Sequence, residues 1–171
     1  MSTFESARLR LRPMNLSDAE FILTITNDPS WLQFIGDRGV HTIEDAKTFI
    51  IDGPLAMYKR LGIGSLIVEL KETNMAIGSC GLLQRDYLEF PDIGYAFLPE
   101  YRAKGYAFEA ASAVLEYYYN SKRFSHVCAI VSHDNMSSIR LLTKLGFSYQ
   151  ATIALDGGAD EVCLYQSTDN S

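Results

Sequence analysis

Residues 97–107 read Phe97-Leu98-Pro99-Glu100-Tyr101-Arg102-Ala103-Lys104-Gly105-Tyr106-Ala107. An apolar strand, Asp92 to Leu98, passes through a short basic loop into a helix that opens at Gly105 and reaches about Ser121. Ala107, Ala110, Ala111, Val114, Leu115 and Tyr118 fall on one helical face, while Glu109, Ser112 and Glu116 lie off that stripe. The first amides of such a helix have no intrahelical partner. With the positive end of the helix dipole they suit phosphate oxygens. Gly105 permits a close backbone approach, and Arg102 and Lys104 add formal charge. From these residues alone, an ordinary strand-to-helix turn with solvated basic side chains fits equally well. Other nucleotide and nucleophile motifs fail. A P-loop needs Gly-Lys-Ser/Thr, whereas Lys104 precedes Gly105, and no Gly-x-Ser-x-Gly elbow occurs.

Working outward, Ala7 to Arg12 alternates Leu9 and Leu11 with arginines, as a strand does. Ser17 with Glu20 three residues on predicts a capped helix that Asn27, Asp28 and Pro29 end. A short apolar stretch, Trp31 to Ile35, follows. Thr42 with Asp45 repeats the capping pattern before a face of Ala46, Phe49 and Ile50, and Gly53-Pro54 should break or kink that helix. Strands are expected at Ser65 to Leu70, Ala76 to about Arg85, Asp92 to Leu98 and His126 to Val131. A helix over Asn135 to Leu145 stops at Gly146. Two last strands, Phe147 to Leu155 and Glu161 to Tyr165, flank the Asp156-Gly157-Gly158 turn. This order makes a mixed sheet with helices on its faces.

The chain has 171 residues, 47% of them hydrophobic and 21% charged, which is enough for one sizeable core. No apolar run approaches the roughly 20 residues that cross a bilayer. Arg8, Arg10 and Arg12 are followed by no apolar block, so neither a signal peptide nor an anchor is expected. A net charge of −6 without a dense basic stripe disfavours nucleic-acid binding. Cys80, Cys128 and Cys163 are odd in number and widely spaced, which suits reduced thiols in the cytoplasm. His126 and Cys128 share a strand face, but no second ligand pair accompanies them; they read as packing residues, and no metal is expected. The residues from 167 to 171 read as a disordered tail.

Arg102-x-x-Gly105-x-Ala107 matches the pyrophosphate loop, Gln/Arg-x-x-Gly-x-Gly/Ala, of the GNAT superfamily of N-acetyltransferases, which this chain resembles. Further pieces resemble the branch that acetylates the N-terminal alanine or serine of ribosomal proteins. They are Arg8-Leu9-x-Leu11-Arg12-Pro13, Asp18-Ala19-Glu20, Ile93-Gly94-Tyr95 and Asn135-x-x-Ser138-Ile139-Arg140-x-Leu142-x-Lys144-Leu145-Gly146-Phe147. The resemblance runs from about Ala7 to Tyr165.

The resemblance implies an α/β (α+β) fold spanning residues 1–171 as one acetyltransferase domain. Its sheet is mixed, mostly antiparallel, seven-stranded and splayed in the middle, with helices on both faces. It implies acetyl-CoA as cosubstrate and a primary amine as acceptor, preferably a peptide α-amine such as a ribosomal-protein N-terminus. No membrane partner is expected, and the chain would act as a monomer or homodimer. Pantetheine would pair with backbone near Phe97 and Leu98. The segment Arg102, Ala103, Lys104, Gly105, Tyr106 and Ala107 would hold the pyrophosphate, and Asn135 and Ser138 would face pantetheine and thioester. Without the family, Asn135 is a plain helix cap and Ser138 a surface serine. Many relatives carry a tyrosine seven residues after that asparagine as acid for the thiolate; here it is Leu142, which leaves Ser138 as the candidate. No acid is strictly required, since a thiol pKa near roughly 8.5 makes thiolate a tolerable leaving group. For the base, Asp92 is the first candidate and Glu89 the second; both also read as solvated loop carboxylates. A small-molecule amine acetyltransferase, a non-catalytic acetyl-CoA-binding module and an interaction protein that binds no CoA remain alternatives.

If the loop holds the phosphates, acetyl-CoA should raise the melting temperature far more than ATP or NADH does, because a ligand that binds only the native state stabilises it. Gly105→Val should remove that rise. An equal rise in wild type and variant in a thermal-shift measurement would contradict the placement.

Overall fold

Alternation along the strands sets the two faces of the sheet. In Ser65–Leu70, Leu66 and Val68 belong to one buried cluster and Ile67 to another. Successive strand side chains point to opposite faces, so apolar layers must cover both. The computed structural model describes residues 1–168, in which eight strands form one sheet. They are β1 (Phe4–Glu5), β2 (Leu9–Pro13), β3 (Ser65–Leu70), β4 (Ala76–Leu83), β5 (Asp92–Phe97), β6 (His126–Val131), β7 (Ser148–Ala154) and β8 (Glu161–Thr168). The spatial order is β1-β2-β3-β4-β5-β6-β8-β7. Every neighbouring pair is antiparallel except β5 and β6, which run parallel. The expected count of seven strands is corrected to eight, because Phe4 and Glu5 add a short edge strand on Leu11 and Arg10. Two residues are too few for an alternation to show in the sequence.

The helices are α1 (Ala19–Thr26), α2 (Pro29–Phe34), α3 (Ile43–Ile50), α4 (Ala56–Leu61), α5 (Tyr106–Asn120) and α6 (Met136–Lys144). Helices α1 and α3 pack Ile22, Ile25, Ala46 and Ile50 with Ile67 on one face. On the other face α5 packs Ala110, Ala111, Val114 and Tyr118 with Leu66, Val68 and Ile77.

Local chemistry shifts several boundaries. Asn15, not Ser17, caps the first helical turn: its side chain accepts from the Ser17 amide at 2.9 Å, and Asp18 returns the bond to the Asn15 N–H at 2.9 Å. That carboxylate also binds Arg12 at 2.7 Å, which ties the turn to β2. The capping box of Thr42 and Asp45 is present as expected. Trp31 lies in the short helix α2, with Asp28 as cap and Pro29 in the first turn, where a missing N–H is tolerated. Gly53-Pro54 does not end the helical path; a π-turn over Ile51–Leu55 carries it from α3 into α4. At the C-terminus the expected disorder from 167 is corrected, since Ser167 and Thr168 pair with Val127 and His126. Residues 169–171 lie outside those described. Among the described residues, no helix is long and apolar enough to cross a membrane.

Gly78 lies opposite Phe97 across β4 and β5. A Cβ there would sit 2.5 Å from the Phe97 ring and 2.6 Å from the Ala96 carbonyl oxygen. Gly78→Ala should therefore push β5 from its place and cost about 1–3 kcal/mol, as overpacking does. Urea denaturation measures it; an unchanged midpoint would contradict the close fit.

Candidate active site

The parallel pair β5 and β6 touches at one register, Asp92 opposite Cys128, where the Cys128 N–H donates to the Pro91 carbonyl at 2.8 Å. Beyond that point the strands part. On the β4 side the Leu98 N–H donates to Ile77 O at 3.0 Å. Antiparallel ladders alternate bonded and non-bonded pairs, so in the register Gly78↔Phe97 the residues Asp92, Gly94 and Ala96 also bond to β4. Tyr95 and Phe97 then turn their backbone groups toward the gap. Leu98, expected to pair with a ligand, is engaged on both sides: its N–H goes to Ile77 and its carbonyl accepts from Tyr101 at 3.0 Å. The gap-facing backbone is that of Tyr95 and Phe97.

The loop after β5 bends twice. Ala103 has φ 57 and Gly105 φ 82, both in the left-handed region. Glycine takes this conformation readily, whereas alanine pays roughly 1–2 kcal/mol. The first bond of α5 runs from the Glu109 N–H to Gly105 O at 3.1 Å, so the amides of Tyr106, Ala107 and Phe108 precede the first such donor. Left-handed residues beside a helix start form a backbone nest suited to an anion. Two arginines brace it. Arg8 donates to Lys104 O at 3.1 Å, pairs with Glu109 at 2.7 Å and lies 4.3 Å from the centre of the Tyr106 ring. Arg102 does not turn to the nest: its Nε donates to Phe97 O at 3.0 Å, and its other nitrogens donate to Ser30 Oγ at 3.0 Å and to the buried Asp28 carboxylate. Its backbone N–H is engaged as well, on Pro99 O at 3.2 Å. Lys104 is exposed, its ammonium lies 5.8 Å from the centre of the Tyr101 ring, and it makes no ion pair among the described residues.

Asn135 caps α6, its Oδ1 accepting from the Ser138 N–H at 3.2 Å. The bland reading of Asn135 is thus true of its oxygen, and the carboxamide donors remain. Ser138 is not a bare surface serine. Its Oγ is 2.6 Å from Tyr95 Oη, across the gap between α6 and β5. Burial pushes the Tyr95 phenol up to about 12, against a smaller lowering by the Ser138 hydrogen bond. Leu142 is fully buried in the core, so no polar group stands at that position.

Asp92 is almost fully buried, and both its oxygens accept from Arg85 Nε at 3.0 Å. Burial raises its pKa, and the opposing pull of the Arg85 charge is smaller. The solvated-loop reading of Asp92 is thereby excluded. Glu89 is exposed and does not line the cavity described next. His126 stacks on Phe90 at 4.8 Å and Cys128 is buried, both as packing groups. Among the described residues no three His, Cys, Asp or Glu side chains gather to hold a metal ion.

A cavity of about 810 Å³ joins these parts, within the usual size of a small-molecule site. Gly105 to Ala107, Asn135 and Ser138 line it, and so do Ile22, Ile25, Trp31 and Phe49 from the apolar cluster on the other face of the sheet. Asp92 and Tyr95 also line it. Three participants escaped sequence reasoning. Asp28 looked like a helix terminator, and Arg8 and Glu109 are 101 residues apart in sequence. Tyr95 was visible only as part of Ile93-Gly94-Tyr95, a motif without an assigned role.

Residues 8–148 match the acetyltransferase (GNAT) domain family. The Bacillus subtilis protein YkkB is 31% identical over 149 residues, 85% of this chain and 85% of that one. The N-acetyltransferase YnaD of the same organism is 30% identical over 139 residues, 81% of this chain and 78% of its own. The fold is similar to that of RimL, a ribosomal L7/L12 alpha-N-protein acetyltransferase solved with coenzyme A. The TM-score is 0.85 at 16% identity, covering 99% of this chain and 100% of that chain.

If Arg102 is a strut between α2 and the end of β5, its removal should act on stability. We expect Arg102→Ala to cost about 1–3 kcal/mol, since it takes the charged partner from the buried Asp28 carboxylate and leaves it only the Ser30 N–H among the described residues. Lys104→Ala should stay within about 0.5 kcal/mol. Denaturant titration of both variants decides; equal effects would remove the strut role.

Proposed function

Because this chain belongs to the GNAT acetyltransferase family, we propose that it moves the acetyl group of acetyl-CoA directly onto a primary amine, preferably a peptide or protein N-terminal α-amine. The observation that carries this reading is the opening between β5 and β6 beside the backbone nest at Ala103–Ala107. Tyr95 and Phe97 offer pantetheine a strand edge. The amides of residues 103–107, with Lys104, offer the pyrophosphate its donors and charge. The Arg102 side chain supports the loop from behind. Asn135 and Ser138 face the thioester.

The amine nitrogen attacks the acetyl carbon, the C–S bond breaks with its electron pair leaving on sulfur, and the new amide nitrogen gives its surplus proton to solvent. The acceptor must first lose a proton, and we assign that step to Asp92 through water. Burial makes this carboxylate more basic than usual, while its bond to Arg85 keeps it a weak base. A weak base favours an acceptor of low pKa. An α-amine has a pKa of roughly 7.7–8.0 and lysine about 10.4, so the neutral fractions near pH 7 differ by more than two orders of magnitude, or about 3.5 kcal/mol. The likeness of fold to an α-N-protein acetyltransferase supports the same choice. In this reading residues 1–171 work as one domain in the cytoplasm, with a ribosomal-protein N-terminus among the acceptors that fit.

Matched peptides test the preference. One carries a free N-terminus and blocked lysines; the other is acetylated at its N-terminus and has free lysines. The first should be acetylated faster, with coenzyme A release as readout. Faster reaction of the second would overturn the preference. Turnover of a small amine alone would favour the small-molecule alternative, and stabilisation by acetyl-CoA without any turnover would favour a binding module.

A further inference from the structure

Tyr95 and Ser138 share one hydrogen bond of 2.6 Å between β5 and α6, at the wall of the cavity where the strands part. Each hydroxyl has one proton. Their mutual bond uses one of the two, so one O–H remains for a third atom. Phenols are stronger acids than aliphatic alcohols and make the better donors, while an alcohol oxygen is the better acceptor. The direction that follows is Tyr95 Oη–H to Ser138 Oγ, with the Ser138 proton left for the cavity. The position where a direct acid might stand is Leu142, fully buried and without a polar atom.

We propose that Tyr95 is a positioning residue for acetyl transfer: its phenol donates to Ser138 Oγ and so holds the Ser138 O–H toward the sulfur of the departing thiolate. The inference rests on the acetyl-transfer reading above. No proton needs to leave either hydroxyl. As the C–S bond breaks, the electron pair stays on sulfur, and the Ser138 O–H stabilises it by a hydrogen bond that strengthens with the charge. The released thiolate takes its proton from solvent. The raised phenol pKa, about 12, keeps Tyr95 a donor throughout the neutral range. The same burial argues against outright proton transfer, because a phenol near 12 gives its proton uphill to a thiolate of roughly 8.5.

The test is a double-mutant cycle on the whole chain, with turnover, the KM for acetyl-CoA and the acetyl-CoA thermal shift measured for each form. Ser138→Ala should lower kcat by about tenfold or more. Tyr95→Phe, which removes only the hydroxyl, should lower kcat by about three- to tenfold with KM and thermal shift nearly unchanged. The double variant should match Ser138→Ala within about twofold, because Tyr95 acts through Ser138. Additive losses, a larger loss for Tyr95→Phe than for Ser138→Ala, or a change in KM alone would each overturn the proposal. If wild type releases coenzyme A and Tyr95→Phe is unaffected, only this inference fails. If wild type turns over no amine, the acetyl-transfer reading fails with it.

Discussion

A parallel strand pair that holds together at one point governs this molecule. Asp92 and Cys128 stay in register, and past them β5 and β6 diverge. Backbone N–H and C=O groups left without partners away from water are costly. A splayed pair therefore survives only if solvent or a ligand satisfies the facing edges. Here the edge of Tyr95 and Phe97 opens onto the cavity, and part of the demand is met internally, since Arg102 donates to Phe97 O. The same divergence lets one cavity reach both faces of the sheet, so that two substrates can meet within the gap.

The phosphate-suited loop depends on geometry more than on formal charge. The chain carries a net charge of −6, and of the two basic residues in the loop one is turned into an internal ion pair. What remains is a set of backbone donors made by two left-handed residues and a helix start, plus Lys104. Such donors cannot be removed by changing a side chain, but they are sensitive to conformation. The supports around them make sense in that light: Arg8, just before β2, and Glu109 of α5 brace the nest, and Asp28 and Ser30 at the start of α2 hold Arg102. The loop is thereby tied to the helices that line the same cavity.

The helical wall of the cavity is built on the less regular part of the chain. The π-turn over Ile51–Leu55 keeps α3 and α4 in one path despite Pro54. Helix α2 carries Trp31 and Phe34 to the cavity wall. Asp92, one of two carboxylates that line the cavity among the described residues, is paired with Arg85 and shielded from solvent.

Much was legible before any fold was known. Alternation in Leu9 to Arg12, the apolar stripe of α5, and the Thr42 and Gly146 boundaries are local signals, because they depend on neighbours a few residues apart. The loop Arg102-x-x-Gly105-x-Ala107 pointed to the family only together with the pieces before and after it, each a short local pattern. Other properties depend on residues far apart in sequence. Arg102 reads as a phosphate ligand until Asp28 is seen beside it, and Asp92 reads as a solvated loop carboxylate until Arg85 and the burial around it are seen. Ser138 reads as neutral until Tyr95 arrives from a strand 43 residues earlier. Local sequence determined which elements form and where an anion could sit. Tertiary packing decided which charges remain free and which hydroxyl has a partner, since burial and distance are properties of the assembled chain.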